Sequence, residues 1–301
     1  MLERGADPGS SGDGGTLPEN ALREGASVTK GESRALRRTA MRASRSAGRE
    51  LLSVFRTELD VELKSDPHDV VTAQDRLAEE RIVASIRADV PGSAFVGEEG
   101  GRRGDGRVEW YVDPIDGTAN FARGIEYWCI SVAAAVDDHV VAAAIFNPNT
   151  GDMFSADQGG AWRGADPLRS RGYPDEPSAT LLSCFPEARH YERMGDDAAR
   201  AHRQLLDQFR SVRNLGSVAL DLAHVAAGWA DATVGFDTHS WDIAAGAFIV
   251  EQAGGAFYPL HAGHVAPVRH QAADYYATVG EAEYPHLHEL ALHCSSRSSA
   301  L

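Results

Sequence analysis

The chain has 301 residues, of which 43% are apolar, and 44 Asp and Glu outweigh 29 Lys and Arg to give a formal charge of −15. That apolar share excludes a wholly disordered or collagen-like chain, and the length fits one large or two modest domains. The acidic balance argues against a nucleic-acid or anionic-membrane binder, which needs a basic face, and no run of about 18 apolar residues marks a membrane span.

Residues 1–31 are rich in Gly, Ser, Pro and charge. Such a segment buries too little apolar surface to offset its ordering entropy, so a disordered tail is expected. From Glu32 onward Leu36, Ala40, Ala43, Ala47, Leu51, Val54 and Phe55 recur at helical spacing, with arginines on the opposite face. A second helix follows Thr72, its stripe formed by Ala78, Ile82, Val83, Ile86 and Val90, and Pro91-Gly92 ends it. Strands are expected at Ser93–Val96 and Val108–Val112, then a hairpin of 130–135 and 140–146 about Asp137-Asp138. Asn147–Gly151 reads as a turn. The polar, proline-bearing stretch 164–178 reads as a seam between an N-terminal half, 32–175, and a C-terminal half, 176–290. In the second half a strand is expected near 180–185, helices near 196–209 and 218–229, a strand near 232–236 and a helix near 242–253. Residues 291–301 read as a loose C-terminus. Strands mixed with helices in both halves imply a layered α/β or α+β fold.

Cys129, Cys184 and Cys294 are odd in number and widely spaced, and the N-terminus lacks the apolar core of a signal peptide. Both features point to a reduced, cytoplasmic protein. The histidines at 261, 264, 270, 286, 288 and 293 match no zinc spacing and read as surface residues.

The densest chemical signal is Asp113-Pro114-Ile115-Asp116-Gly117-Thr118-Ala119-Asn120-Phe121. Pro114 removes a ladder donor and Gly117 permits a sharp turn, so two carboxylates are held at the end of a strand. Hard oxygen ligands so spaced suit Mg²⁺. Taken alone, two aspartates at a turn are more often simply solvated. Gly97-Glu98-Glu99 also follows a strand, and alone would read as an exposed acidic turn. Asp242, in Trp241-Asp242-Ile243-Ala244-Ala245-Gly246, stands where an N-cap would stand. Asp75 has a capping-box spacing from Thr72, and Gly216-Ser217 precedes an apolar helix.

Taken in order, these motifs resemble the inositol monophosphatase family, the Mg²⁺-dependent, lithium-sensitive phosphatases. Its relatives act on fructose 1,6-bisphosphate, histidinol phosphate and 3′-phosphoadenosine 5′-phosphate. The resemblance spans about residues 32–280 and implies an αβαβα sandwich. It implies that Glu98, Asp113, Asp116, Asp242 and the carbonyl of Ile115 bind metal, with Asp113 bridging two ions. Thr118 and Asp75 would orient and activate the attacking water. The amides of Gly117 and Thr118 would hold the phosphate, and Gly216, Ser217 and Val218 would meet the substrate's body. Lys64 and Asp69 would lie on a mobile stretch that orders around metal and substrate.

Packed carboxylates repel, and divalent cations remove that penalty. No serine or cysteine has the company of a nucleophile with its base, so direct in-line attack by water on a small phosphorylated metabolite is expected. In one place the sequence departs from the family. Inositol monophosphatases commonly carry a glutamate seven residues before the aspartate of the Trp-Asp pair, where it meets inositol hydroxyls. Gly235 stands there, with Asp237 two residues on as a candidate substitute. An inositol, sugar or polyol monophosphate is the leading substrate class, with histidinol phosphate and 3′-phosphoadenosine 5′-phosphate as alternatives. The rival class is a non-catalytic regulatory protein on the same fold, and a further one is an enzyme that also partners the RNA machinery. Family members are commonly homodimers, so the resemblance allows one here.

Overall fold

The computed structural model describes residues 27–57, 61–63, 70–280 and 282–298. Nearly all of the expected tail, and the stretch holding Lys64 and Asp69, lie outside the described residues.

The first helix, α1 (Lys30–Val54), starts two residues before the expected edge. Thr29 caps it, accepting the Glu32 N–H while Glu32 returns a carboxylate to the Thr29 N–H. Leu36, Ala40, Ala43, Ala47 and Leu51 form its buried stripe. A two-stranded ribbon, β1 (Val61–Leu63) with β2 (Val70–Thr72), leads into α2 (Ala73–Asp89).

The first large sheet comprises β3 (Ala94–Gly97), β4 (Gly101–Arg103), β5 (Val108–Asp116), β6 (Cys129–Val136), β7 (His139–Asn147), β8 (Asp152–Asp157), β9 (Gly160–Arg163) and β10 (Asp166–Pro167), in the spatial order 10-9-8-7-6-5-3-4. Between β5 and β6 lies the short helix α3 (Thr118–Arg123). The β6–β7 hairpin turns on Asp137 and Asp138, both at positive φ, as its tight loop requires. The second sheet holds β11 (Thr180–Leu182), β12 (Ser211–Arg213), β13 (Ala232–Gly235), β14 (Ala256–His261), β15 (His264–Val265) and β16 (Asp274–Thr278), in the order 12-11-13-16-14-15. Its helices are α4 (Ala188–Met194), α5 (Asp196–Gln208), α6 (Val218–Ala227), α7 (Ser240–Gln252) and α8 (Pro285–Ser298).

The layers run α1/α2, first sheet, α6/α7, second sheet, α4/α5/α8. Helices α6 and α7 are apolar nearly all round, as helices held between two sheets must be. Ala219, Leu220, Leu222, Ala223, Val225, Ile243, Ala244, Ala245 and Ile249 are all fully buried there, in a core that takes residues from both sheets. This is the five-layer sandwich expected.

Several edges differ from the sequence reading. Residues 291–298 of the expected loose C-terminus fall inside α8, whose Leu287, Leu290, Ala291 and Cys294 pack on the second sheet at helical spacing, and 299–301 lie outside the described residues. Strands β8, β9, β14 and β16 and helix α4 carry no strong periodic signal, and neighbouring strands and layers fix them. His270, expected at the surface, is buried with Nε2 3.0 Å from the Tyr111 hydroxyl. Cys129 and Cys294 are buried free thiols, and Cys184 is a half-buried one. No helix among the described residues is long and apolar enough to cross a membrane.

Candidate active site

Asp113 and Asp116 are three residues apart, and on a regular strand they would face opposite sides of the sheet. The β5–β6 register shifts between them: Asp113 pairs with Ser131 and Asp116 with Cys129. One extra residue on β5 turns both carboxylates to the same side. Pro114, with no N–H to lose, sits in that bulge. The bulged backbone is fastened locally, since the Ile115 N–H donates to Asp113 Oδ1 at 2.9 Å. The Ile115 side chain is buried in the core beneath.

Gly117 then takes a left-handed conformation, φ +95°. A Cβ there would lie 3.0 Å from the Tyr127 carbonyl and 3.1 Å from the Gly216 carbonyl, so both φ and space call for glycine. Asn120 locks the turn to the loop before α6, its amide donating to the carbonyls of Tyr127 (2.7 Å) and Leu215 (2.8 Å). Thr118 Oγ1 lies 2.9 Å from the Ile115 carbonyl and 3.2 Å from Oδ1 of Asp75, which is buried at the start of α2.

Asp242 joins from the second half. It is not the N-cap of α7, as its position suggested. His239 is the cap, and Asp242 one turn in accepts the His239 N–H at 2.7 Å. Ser131, opposite Asp113, donates to the Trp241 carbonyl at 3.3 Å and ties the start of α7 to β6. The Glu98 N–H donates to the Val112 carbonyl, fixing the acidic loop against β5.

A residue the motif reading missed supports that loop. Glu79, buried on α2, accepts the Glu99 N–H at 2.8 Å and pairs with Arg103 at 3.4 Å. Its carboxylate packs on Gly97, where a Cβ would come within 2.4 Å of Oε2. Gly97 is thus required by close approach. Glu79 continues the helical spacing from Asp75, but only the fold shows that it faces Gly97.

Ser217 and Val218 meet Asp116 directly, whereas Gly216 packs against Asn120. Ser217 caps α6 and its hydroxyl donates to Asp116 Oδ2. The N–H groups of Val218 (3.2 Å) and Ala219 (2.7 Å) also donate to Asp116. Ser217 is buried, whereas Gly216 and Val218 line the open cleft. The cleft holds about 500 Å³, with Glu98, Asp116 and Asp242 on one side and Cys184, Phe185, Val234, Gly235, Phe236 and Tyr275 among the residues opposite.

Burial pushes the Asp113 carboxyl well above the usual carboxylate range, and Glu98, Asp116 and Asp242 add to the shift. Asp116 is raised to about 6, chiefly by burial and further by Asp242, against the pull of its Ser217, Ala219 and Val218 donors. Among the described residues no group of three or more His, Cys, Asp or Glu is drawn tightly enough together to hold an ion as it stands. The aspartates are instead turned onto protein donors. The chemistry of the donor set nonetheless fits a hard divalent cation: all ligand atoms are oxygens, and the charges acting on Asp113 are other carboxylates. Cys184, on the cleft wall, has its thiol pushed up to about 12 by burial and is protonated at neutral pH. It is no nucleophile there.

The sequence model of the inositol monophosphatase family matches residues 32–298. The chain belongs to the inositol monophosphatase family. The Nus factor SuhB of Pseudomonas aeruginosa is 37% identical over 222 residues, 72% of this chain and 82% of that protein. The inositol-1-monophosphatase of Mesorhizobium japonicum is 36% identical over 219 residues, 72% of this chain and 80% of that protein. The crystal structure of the extragenic suppressor protein suhB from Bartonella henselae superposes with a TM-score of 0.76 at 26% identity. It covers 89% of this chain and all of that one. Inositol monophosphatase family members are metal-binding hydrolases of the phosphatase class, which use divalent metal ions. The same fold therefore serves relatives named for phosphatase activity and relatives named as Nus factors.

Proposed function

We propose that this chain is a Mg²⁺-dependent phosphomonoesterase that hydrolyses a small phosphorylated metabolite by direct attack of water. The β5 bulge carries this reading, because it turns Asp113 and Asp116 to one side, next to Glu98, Asp242 and the Thr118–Asp75 pair. Glu98, Asp113, Asp116, Asp242 and the Ile115 carbonyl would hold the metal. Bound ions would polarise the attacking water and shield charge on the phosphoryl oxygens. Thr118 accepts a proton from that water as its own hydroxyl proton passes to Asp75, so the buried carboxylate serves as the base. The backbone amides of Gly117 and Thr118 hold the phosphoryl group, with no side-chain cap competing for them. Gly216 and Val218 meet the body of the substrate, and Ser217 acts one step removed, by holding Asp116.

The test is phosphate release from a panel holding myo-inositol 1-phosphate, fructose 1,6-bisphosphate, histidinol phosphate, 3′-phosphoadenosine 5′-phosphate and glycerol 2-phosphate, with Mg²⁺ and with EDTA. Mg²⁺-dependent release is expected. No release from any compound while Mg²⁺ still binds would move the reading to a regulatory protein on this fold. The relative named as a Nus factor favours a second role, contact with a protein of the transcription machinery. The charge of −15 speaks for a protein partner rather than for bare RNA.

A further inference from the structure

The formal charge of −15 is not spread evenly over the molecule. Helix α1, in an outer layer, carries seven Lys and Arg against two Glu. Arg34, Arg38, Arg42, Arg45 and Arg49 are all exposed and follow one another at steps of three or four residues. At 3.6 residues per turn they fall within an arc of about 80°, opposite the buried stripe of Leu36, Ala40, Ala43, Ala47 and Leu51. At 1.5 Å per residue they form a line about 22 Å long. Neither acid of α1 lies on that arc: Glu32 is held in the Thr29 cap, and Glu50 pairs with Arg81 of α2. Arg42 alone of the five meets a carboxylate among the described residues, that of Asp89 on α2. Half-buried Met41 and exposed Leu52 border the line on one side. Like charges three or four residues apart oppose helix formation, so this face costs α1 stability unless opposite charge covers it.

We propose that the arginine face of α1 docks an acidic helical segment of a partner protein, with carboxylates recurring once per turn. The planar guanidinium fork pairs a carboxylate through two parallel hydrogen bonds, and a second helix laid along α1 brings its acids past the arginines at the same pitch. Apolar side chains beside those acids cover Met41 and Leu52, which a sugar-phosphate backbone does not do. Outside α1 acids outnumber bases, so a long polyanion running past either end of the line meets repulsion, whereas a short segment ends with it. For a ligand lying on the line itself, acids beyond about 8 Å are screened at physiological salt and do not cancel the attraction. The proposal goes beyond the phosphomonoesterase reading and does not rest on it.

The experiment titrates the full chain into a fluorescein-labelled helical peptide of about 16 residues, built from Glu, Ala and Leu with a glutamate in every turn, and reads anisotropy. Micromolar binding is expected at about 50 mM salt, weakening at least about fivefold at about 300 mM. The double variant Arg38→Glu with Arg45→Glu, both on the exposed face, should bind this peptide at least about tenfold more weakly and should prefer the same peptide with Lys for Glu. Its circular dichroism, and whatever phosphate release the wild type shows, should be retained. A wild-type chain that binds the Glu and Lys peptides alike, or a double variant that binds the Glu peptide as the wild type does, overturns the proposal. An oligouridylate of the same length that binds more tightly than the Glu peptide makes the face a nucleic-acid site and also overturns it. So does a wild-type dimer, seen by sedimentation velocity, that the double variant loses, because the face then belongs to a second copy of this chain. None of these outcomes bears on the phosphatase reading, which phosphate release alone decides.

Discussion

Stripping divalent metal from the protein should make its stability fall as pH rises, the reverse of the usual response of salt-bridged carboxylates. Asp116 has a folded-state pKa of about 6 against an ordinary value of 3.8, and Asp113 is shifted in the same direction. Between these values the folded chain binds more protons than the unfolded chain, so unfolding free energy decreases with rising pH. A gap of about two pH units, at about 1.4 kcal/mol per unit, corresponds to roughly 3 kcal/mol lost from Asp116 between pH 4 and pH 7. Asp237 cannot mask this. Its carboxyl is held below the ordinary range by His190 and Arg193 against the opposing effect of burial. Its contribution is therefore complete above about pH 4 and is lost only in stronger acid. In thermal melts with EDTA from pH 4.5 to 8, Tm should drop by about 6–12 °C from this site, at roughly 2–4 °C per kcal/mol. Saturating Mg²⁺ should restore most of the loss at pH 7.5 and little at pH 4.5, where the ligands hold protons. Asp116→Asn should flatten the EDTA slope. A Tm at pH 7.5 that Mg²⁺ does not move, or an EDTA slope of the opposite sign, would refute the reasoning.

Three substitutions probe the site further. Asp113→Asn removes a buried charge while keeping shape, so Mg²⁺-dependent phosphate release should vanish while circular dichroism holds and the Tm in EDTA does not fall; retained turnover would remove Asp113 from the ligand set. Thr118→Ala breaks the link to Asp75 and should lower kcat roughly 100-fold or more with little change in Mg²⁺ affinity. A rise in KM alone would rule out its part in water activation. Gly97→Ala drives a methyl against the Glu79 carboxylate, which its bonds to Glu99 and Arg103 keep from moving away. It should cost about 2 kcal/mol in chemical denaturation and weaken Mg²⁺ binding about tenfold or more, since the Glu98 loop shifts. Unchanged Mg²⁺ affinity would mean that Glu79 supports the fold but not the acidic loop.

The local elements were legible wherever periodicity and punctuation were strong. The α1 stripe, the α2 stripe ended by Pro91-Gly92, and the hairpin about Asp137-Asp138 all depend on spacing within the element itself, which the chain carries in its own order. The family and its five-layer fold were legible because the Asp113–Phe121 motif encodes a bulge and a turn: Pro114 and Gly117 are the residues such a backbone needs. Strands β14 and β16 and the true end of α8 were not legible, because their partners lie far away in sequence and adjacent layers set their limits.

The same division holds within the cleft. Sequence alone determined which carboxylates are present and in what order, and that position 235 is a glycine. Only the tertiary structure decided what each group has left to offer. Asp116 is held by the start of α6, Glu79 stands behind Gly97, and the Tyr275 ring lies over Gly235. Arg193, 44 residues from Asp237, holds the carboxylate that sequence had offered as a substitute. Side-chain chemistry is written in the chain, but a hydrogen bond or a filled space depends on two residues meeting, and packing alone settles which ones do.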